Sequence, residues 1–311
     1  VSDGVRRPCR LFYSDEYVYD VVEAGWRHTY DVERARRIRD ALVASGAAAR
    51  DDFETPAPIS DDDLLLVHTP AYLDAIRDPE TLARYLLLDP SHPWDHRLLM
   101  PFRYATGGTL GAARTALRDG RIGLNLGGGF HHAQADKAEG FCALADVAVS
   151  IRVMRRDGFR GRVLIVDLDY HHGNGNALIF AEDETVFTFS MHNVPWCFID
   201  KRNNRDVELP SHVDDGKYLD LLVGALPGIV ESFRPEFAVY LAGSDPYVED
   251  LLGDADLSLR GLFERDRFVS ELLAAHDVPY AVVTAGGYGP QSWRVYHHYY
   301  HWLLTGTEVA S

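Results

Sequence analysis

The sequence predicts an α/β fold with a central, mostly parallel sheet and helices on both faces. Three observations predict it. Short apolar, β-branched runs alternate with segments of helical periodicity, the unusual polar clusters lie immediately after such runs, and no linker, repeat or low-complexity segment divides the 311 residues. Alternation of this kind builds parallel sheets covered on both faces, with ligands gathered at the carboxyl edge of the strands. Residues 1–311 are therefore read as a single domain.

Residues 10–13 read as a short strand, and 31–44 as a helix with Asp31 as its N-cap. After the acid turn 60–63, the run 64–67 reads as a strand, followed by a helix entered through Pro70. Residues 86–101 read as a long irregular loop, and 104–117 as a helix whose glycines and alanines allow close packing. From there the pattern is regular. Strands are expected at 121–126, 162–168, 185–189, 237–241 and 280–284, with helices at about 143–156, 216–232, 258–275 and 291–304.

Composition bounds the function. With 46% hydrophobic and 25% charged residues the chain is globular, and no apolar stretch approaches the roughly 18 to 20 residues that span a bilayer. Residues 1–10 carry arginines without an apolar core behind them, so no secretory signal is read and a cytoplasmic enzyme is the expectation. Cys9, Cys142 and Cys197 form no C-x-x-C pair, which disfavours a disulfide framework or a thiolate zinc site. A formal charge of −16 repels nucleic acid phosphates, and such a field either draws in cationic substrates such as lysine-bearing peptides or polyamines or serves solubility alone.

The polar clusters that end the strands carry the chemistry. Asp169 and His171 leave one strand end and Asp245 another, and two carboxylates with one imidazole suit a divalent ion that keeps positions open for water and substrate. His131 and His132 follow three glycines, and imidazoles beside such an ion are the natural base and acid because they titrate near neutral pH. Asp167 and Asn174 are candidates to orient those rings. Tyr288, after Gly286 and Gly287, can donate a hydrogen bond to developing oxyanion charge. His297 and His301, spaced four apart on the last helix, follow no such strand and are assigned to packing or surface.

These residues resemble a known family, the zinc-dependent histone deacetylases and their bacterial relatives, including acetylpolyamine and acetoin-utilisation-type proteins. The matching runs are GGGFHHA at 127–133, GFC at 140–142, VDLDYHHGNG at 166–175, AGSDP at 242–246 and GGY at 286–288. His192-Asn193 and Glu208-Leu209-Pro210 look most like bacterial members near the class IV branch. The resemblance implies an arginase/deacetylase-type three-layer fold with an eight-stranded sheet. It implies zinc held by Asp169, His171 and Asp245, and structural potassium near Asp167, Asp169, His171, Ser190 and the backbone oxygen of Met191.

Carried over by position, His132 acts as general base and then acid, His131 helps hold water and charge, and Tyr288 polarises the amide carbonyl. Gly140 accepts a hydrogen bond from the substrate amide and Phe141 forms one wall of an acyl-lysine channel that also takes in Gly287. The opposite wall falls to Trp196 or Phe198. Asn174 departs from members with aspartate there, which weakens the charge support for its histidine. The implied reaction is hydrolysis of an N-acyl amide, on acyl-lysine or else on an acetylpolyamine or small metabolite. The rivals are a two-manganese ureohydrolase and an acyl-lysine-binding module without turnover.

Overall fold

The computed structural model describes residues 8–18, 31–89, 92–199 and 202–309. The reading of the N-terminus therefore falls mostly outside the described residues, as do positions 90 and 91 of the irregular loop. Eight strands form one sheet: β1 (Cys9–Phe12), β2 (Phe53–Glu54), β3 (Ile122–Asn125), β4 (Val163–Asp167), β5 (Val186–His192), β6 (Asn204–Glu208), β7 (Phe237–Leu241) and β8 (Tyr280–Val283). Their order is β2-β1-β3-β8-β7-β4-β5-β6. Every pairing is parallel, so the expected mostly parallel sheet is parallel throughout its described strands.

Ten helices accompany the strands among the described residues: α1 (Arg34–Ala44), α2 (Asp61–Leu64), α3 (Pro70–Ile76), α4 (Pro79–Tyr85), α5 (Met100–Asp119), α6 (Asp146–Arg156), α7 (Asn174–Ile179), α8 (Asp215–Phe233), α9 (Leu259–Ala275) and α10 (Ser292–Thr305). The period of two along each strand sends alternate side chains into different layers. Leu164 and Val166 of β4 join a core with Ile38 of α1, Leu222 of α8, Leu273 of α9 and Tyr299 of α10. Val163 and Ile165 join a second core with Leu73 of α3, Leu82 of α4, Leu110 of α5 and Ile151 of α6. Each fully buried aliphatic side chain contributes about 1.5 to 3 kcal/mol, so both layers hold the sheet.

Three local expectations change. The run 64–67 is no strand: Ser60 caps Asp63, and Asp61, Asp62 and Asp63 fill the first turn of α2, where a helix favours acids. Asp31 is not the cap of α1, which starts at Arg34; its carboxylate instead accepts the Glu33 N–H at 3.1 Å. The stretch 86–101 is only partly irregular, since His96–Leu99 forms a 3-10 turn leading into α5. Among the described residues no helix is long and apolar enough to cross a membrane.

Candidate active site

The carboxyl edge of the sheet brings the polar strand ends together. Asp167 closes β4, and the turn after it carries Asp169 and His171; Asp245 follows β7, Tyr288 follows β8, and His131 and His132 follow β3. The ligand atoms of Asp169, His171 and Asp245 all lie within 4.8 Å of one another. His171 Nδ1 is 2.7 Å from Asp245 Oδ2 and 3.2 Å from Asp169 Oδ1. Both carboxylates are fully buried.

Burial and the neighbouring Asp169 push the Asp245 carboxyl up to about 8. Burial alone would lower the imidazole of His171, but its hydrogen bonds to Asp169 and Asp245 raise it to about 11. Two buried carboxylates and an imidazole converging on one point are a donor set that a divalent cation satisfies, and these residues fit zinc.

Backbone donors hold the set in place. Gly286 N–H donates to Asp169 Oδ2 at 2.6 Å and Tyr170 N–H to Asp245 Oδ1 at 2.9 Å. Arg265 of α9, fully buried, donates through Nη1 to Leu168 O at 3.1 Å and to Gly243 O at 2.7 Å, tying together the turns that carry both aspartates. Its charge is matched by Asp266, which also accepts from the Tyr240 hydroxyl. Arg34 of α1 donates to Gly286 O at 2.9 Å and Gly287 O at 3.2 Å, bracing the tyrosine turn from behind.

The two histidines sit beside this set with unlike partners. His131 Nδ1 meets Asp167 Oδ2 at 2.8 Å. Its burial lowers its proton affinity, but Asp167 and Asp169 prevail and raise it to about 9. His132 Nδ1 meets Asn174 Oδ1, a neutral partner, at 2.8 Å. Burial and the adjacent His131 push it well below the usual imidazole value. The carboxylate beside His131 thus favours its charged form, while burial and the His131 neighbour favour the neutral form of His132.

The turn that presents them is shaped by Asp146 of α6. Its Oδ2 accepts from Gly129 N–H and its Oδ1 from Phe130 N–H, each at 2.8 Å. Gly128 and Gly129 adopt φ of 77° and 81°, a conformation side chains resist.

Walls complete the pocket. The indole of Trp196 stacks on His132 at 3.9 Å with 2° between the planes, while Phe198 is 90% exposed. Of the two candidates for the opposite wall, the structure brings Trp196 onto His132 and leaves Phe198 exposed. Phe141 lies 6.1 Å from Tyr288, whose ring is 5.9 Å from His171 and perpendicular to it. Burial keeps the Tyr288 phenol well above its usual range, so it stays a donor. Its N–H is fixed by Asp250 Oδ2 at 2.6 Å. At Gly287 a Cβ would lie 2.0 Å from Ser244 Oγ and 2.8 Å from Arg34 Nη1, so only glycine fits that turn. An apolar cavity of about 140 Å³ is lined by His131, Phe141 and Tyr288 together with Leu86, Leu98 and Phe130.

Ser190 stands opposite Asp167 in the β4–β5 register, and its Oγ lies 2.8 Å from His192 Nδ1. The Met191 side chain is buried in the apolar core. A second trio, His172, His192 and Asp206, also converges within 4.8 Å. There the Trp196 N–H donates to His172 Nδ1 at 3.1 Å, which leaves the proton of a neutral ring on Nε2, facing Asp206 Oδ1 at 3.5 Å. The first trio is the one that lies beside the other strand-end groups: the His171 ring is 6.2 Å from His132 and 5.9 Å from Tyr288. Asp146, Arg34, Arg265 and Asp250 went unread in the sequence. The signal for Arg265-Asp266 was a charged pair on the apolar stripe of α9, between Leu262 and Val269.

Comparison with known proteins agrees with this geometry. Residues 28–302 match the histone deacetylase domain. An uncharacterised protein of Picosynechococcus sp. is 34% identical over 283 residues, 89% of this chain and 91% of its own length. Histone deacetylase 2 of Arabidopsis thaliana is 33% identical over 294 residues, 92% of this chain and 76% of its own. The crystal structure of a deacetylase homologue from Aquifex aeolicus superposes with a TM-score of 0.80 at 26% identity, covering 98% of this chain and 86% of that one. A parallel eight-stranded sheet bearing this edge, matched by domain, relatives and architecture, makes the chain a member of the histone deacetylase family and a hydrolase of the deacetylase kind.

Proposed function

We propose that this protein removes acyl groups from acyl-lysine side chains by hydrolysis of the amide. The observation that carries the proposal is the unequal pair of histidines, one against the Asp167 carboxylate and one against the neutral Asn174 amide, set between the Asp169, His171 and Asp245 donors and Tyr288. A zinc ion held by those three residues would supply Lewis-acid polarisation of the carbonyl and an activated water. His132, neutral and with Nε2 free of a proton, takes a proton from the attacking water and returns it to the leaving amine. His131, kept cationic by Asp167, steadies the water and the negative charge that develops. Tyr288 donates to the oxyanion.

Asp167, Ser190 and the backbone of Met191 are assigned in this proposal to a potassium-holding layer behind the reacting one. Gly140 takes the substrate amide, and Phe141 and Trp196 flank the acyl-lysine stem. Residues 1–311 act as one catalytic domain, a reading supported by two helical layers sharing one sheet. A cytoplasmic setting suits its three free thiols.

An acetylpolyamine or small-metabolite amide is the alternative substrate within the same chemistry. The test is a matrix of acyl chains crossed with amine carriers, run with His132→Ala, Tyr288→Phe and a chelated, zinc-restored sample. Loss of turnover in both variants, and recovery with one zinc per chain, is expected. Turnover unaffected by both substitutions overturns the mechanism; two manganese ions per chain favour a ureohydrolase; hydroxamate binding without any hydrolysis favours a binding module.

A further inference from the structure

Glu139 lies outside the chemistry-bearing strand ends, on the loop that leads into Gly140 and Phe141. Its carboxylate collects three donors: Gln134 Nε2 at 3.0 Å, Lys137 Nζ at 2.8 Å and Asn174 Nδ2 at 2.8 Å. An ionised carboxylate only accepts, so the amide of Asn174 is compelled to turn its NH2 toward Glu139. Its carbonyl oxygen is thereby left facing His132 Nδ1 at 2.8 Å. A carbonyl only accepts as well, so the proton of the neutral imidazole sits on Nδ1 and Nε2 keeps its lone pair. With the amide reversed, the NH2 would face Nδ1, the proton would move to Nε2, and the base would be blocked.

We propose that Glu139 is a positioning residue for hydrolysis, which sets the orientation of Asn174 and through it the tautomer of His132. The inference rests on His132 being the base. It assigns to two residues, a neutral amide and a carboxylate one step farther out, the task a single aspartate at position 174 would perform. The two are fitted to each other: aspartate at 174 would bring a second carboxylate against Glu139.

The test is a double-mutant cycle on the zinc-reconstituted protein with an acetyl-lysine peptide. Glu139→Ala is expected to lower kcat roughly tenfold, the scale of one charge-assisted hydrogen bond, with KM within about twofold. Asn174→Asp is expected to fall by a similar factor through like-charge repulsion. The double variant is expected to exceed both singles, because a carboxylate introduced at position 174 accepts from Nδ1 in either orientation once Glu139 is gone. Glu139→Gln, whose amide oxygen still accepts from Asn174, is expected to stay within about threefold of the parent and separates orientation from damage to the loop.

Three results overturn the proposal while leaving the base in place, provided His132→Ala is inactive: Glu139→Ala within twofold of the parent, losses that multiply in the double variant, or Glu139→Gln as impaired as Glu139→Ala. An active His132→Ala instead removes the base assignment, and the proposal with it.

Discussion

Replacing Gly140 by alanine is expected to silence turnover while sparing the metal donors. Gly140 has φ of 53°, and a Cβ there would lie 2.2 Å from His132 Cδ2, 2.8 Å from Cγ and 2.9 Å from Nε2. Ordinary contact begins at 3.4 Å, so ring and loop must part by about 1 Å. The imidazole cannot retreat freely, because Trp196 is stacked at 3.9 Å on it and Asn174 holds its Nδ1.

A misplacement of about 1 Å at a reacting group costs on the order of 100-fold in rate, and the left-handed backbone adds about 1 to 2 kcal/mol of strain. The assay is steady-state hydrolysis of an acetyl-lysine peptide, read with zinc content and thermal melting. Gly120→Ala is the control: it has φ of 63° with nothing within 4 Å, so it carries the backbone strain without the clash. Expected are a kcat down about 100-fold in Gly140→Ala with zinc retained, and unchanged turnover in Gly120→Ala. A Gly140→Ala protein within fivefold of the parent, or one inactive only because its zinc is gone, would refute the reasoning.

His68, buried with Nε2 accepting the Ala145 N–H at 3.0 Å, is held by burial at about 4, below its ordinary value of 6.5. The unfolded chain therefore binds this proton first as pH falls, and stability is lost from about pH 6.5 downward, by about 2 kcal/mol at pH 5, levelling off below about pH 4. Urea melts at pH 7 and pH 5 should show His68→Gln losing about 2 kcal/mol less than the parent; equal losses would sink the assignment. Arg265→Met leaves Asp266 buried without its cation and frees Leu168 O and Gly243 O, at an expected cost of about 3 to 5 kcal/mol together with weaker zinc retention. Urea titration and chelator competition read the two effects, and a cost below about 1 kcal/mol would contradict the role given to the pair.

The central strands were legible as buried apolar runs, as Val163 to Val166 up to its stop at Asp167, although β5 runs on through Ser190, Met191 and His192, which the sequence placed after its end. The site was legible for the same reason, since Asp169, His171, Asp245, His131, His132 and Tyr288 all follow such stops. The edge strands were not. β2 has two residues, and β6, Asn204–Glu208, is polar and half-exposed, so neither carries an apolar signal. The run 64–67 misled because its leucines suggest a strand, whereas Ser60 and three acids start a helix, and Leu65 and Leu66 end up exposed. Asp146, Arg34 and Glu139 act through side-chain bonds to distant parts of the chain, which leave no periodic trace.

The position of β8 bears on how the chain folds. It is the seventh strand's neighbour on one side and pairs Gly123 with Ala281 on the other, so the last of the described strands in sequence lies in the middle of the sheet. During synthesis β3 and β7 wait with open edges until residues 280–283 arrive. Such long-range parallel pairing closes slowly and exposes strand edges to other chains meanwhile. The ribosome must thus deliver the chain through residue 288 before Tyr288 can meet Asp169, His171 and Asp245, and chains stopped short of β8 should be the aggregating ones.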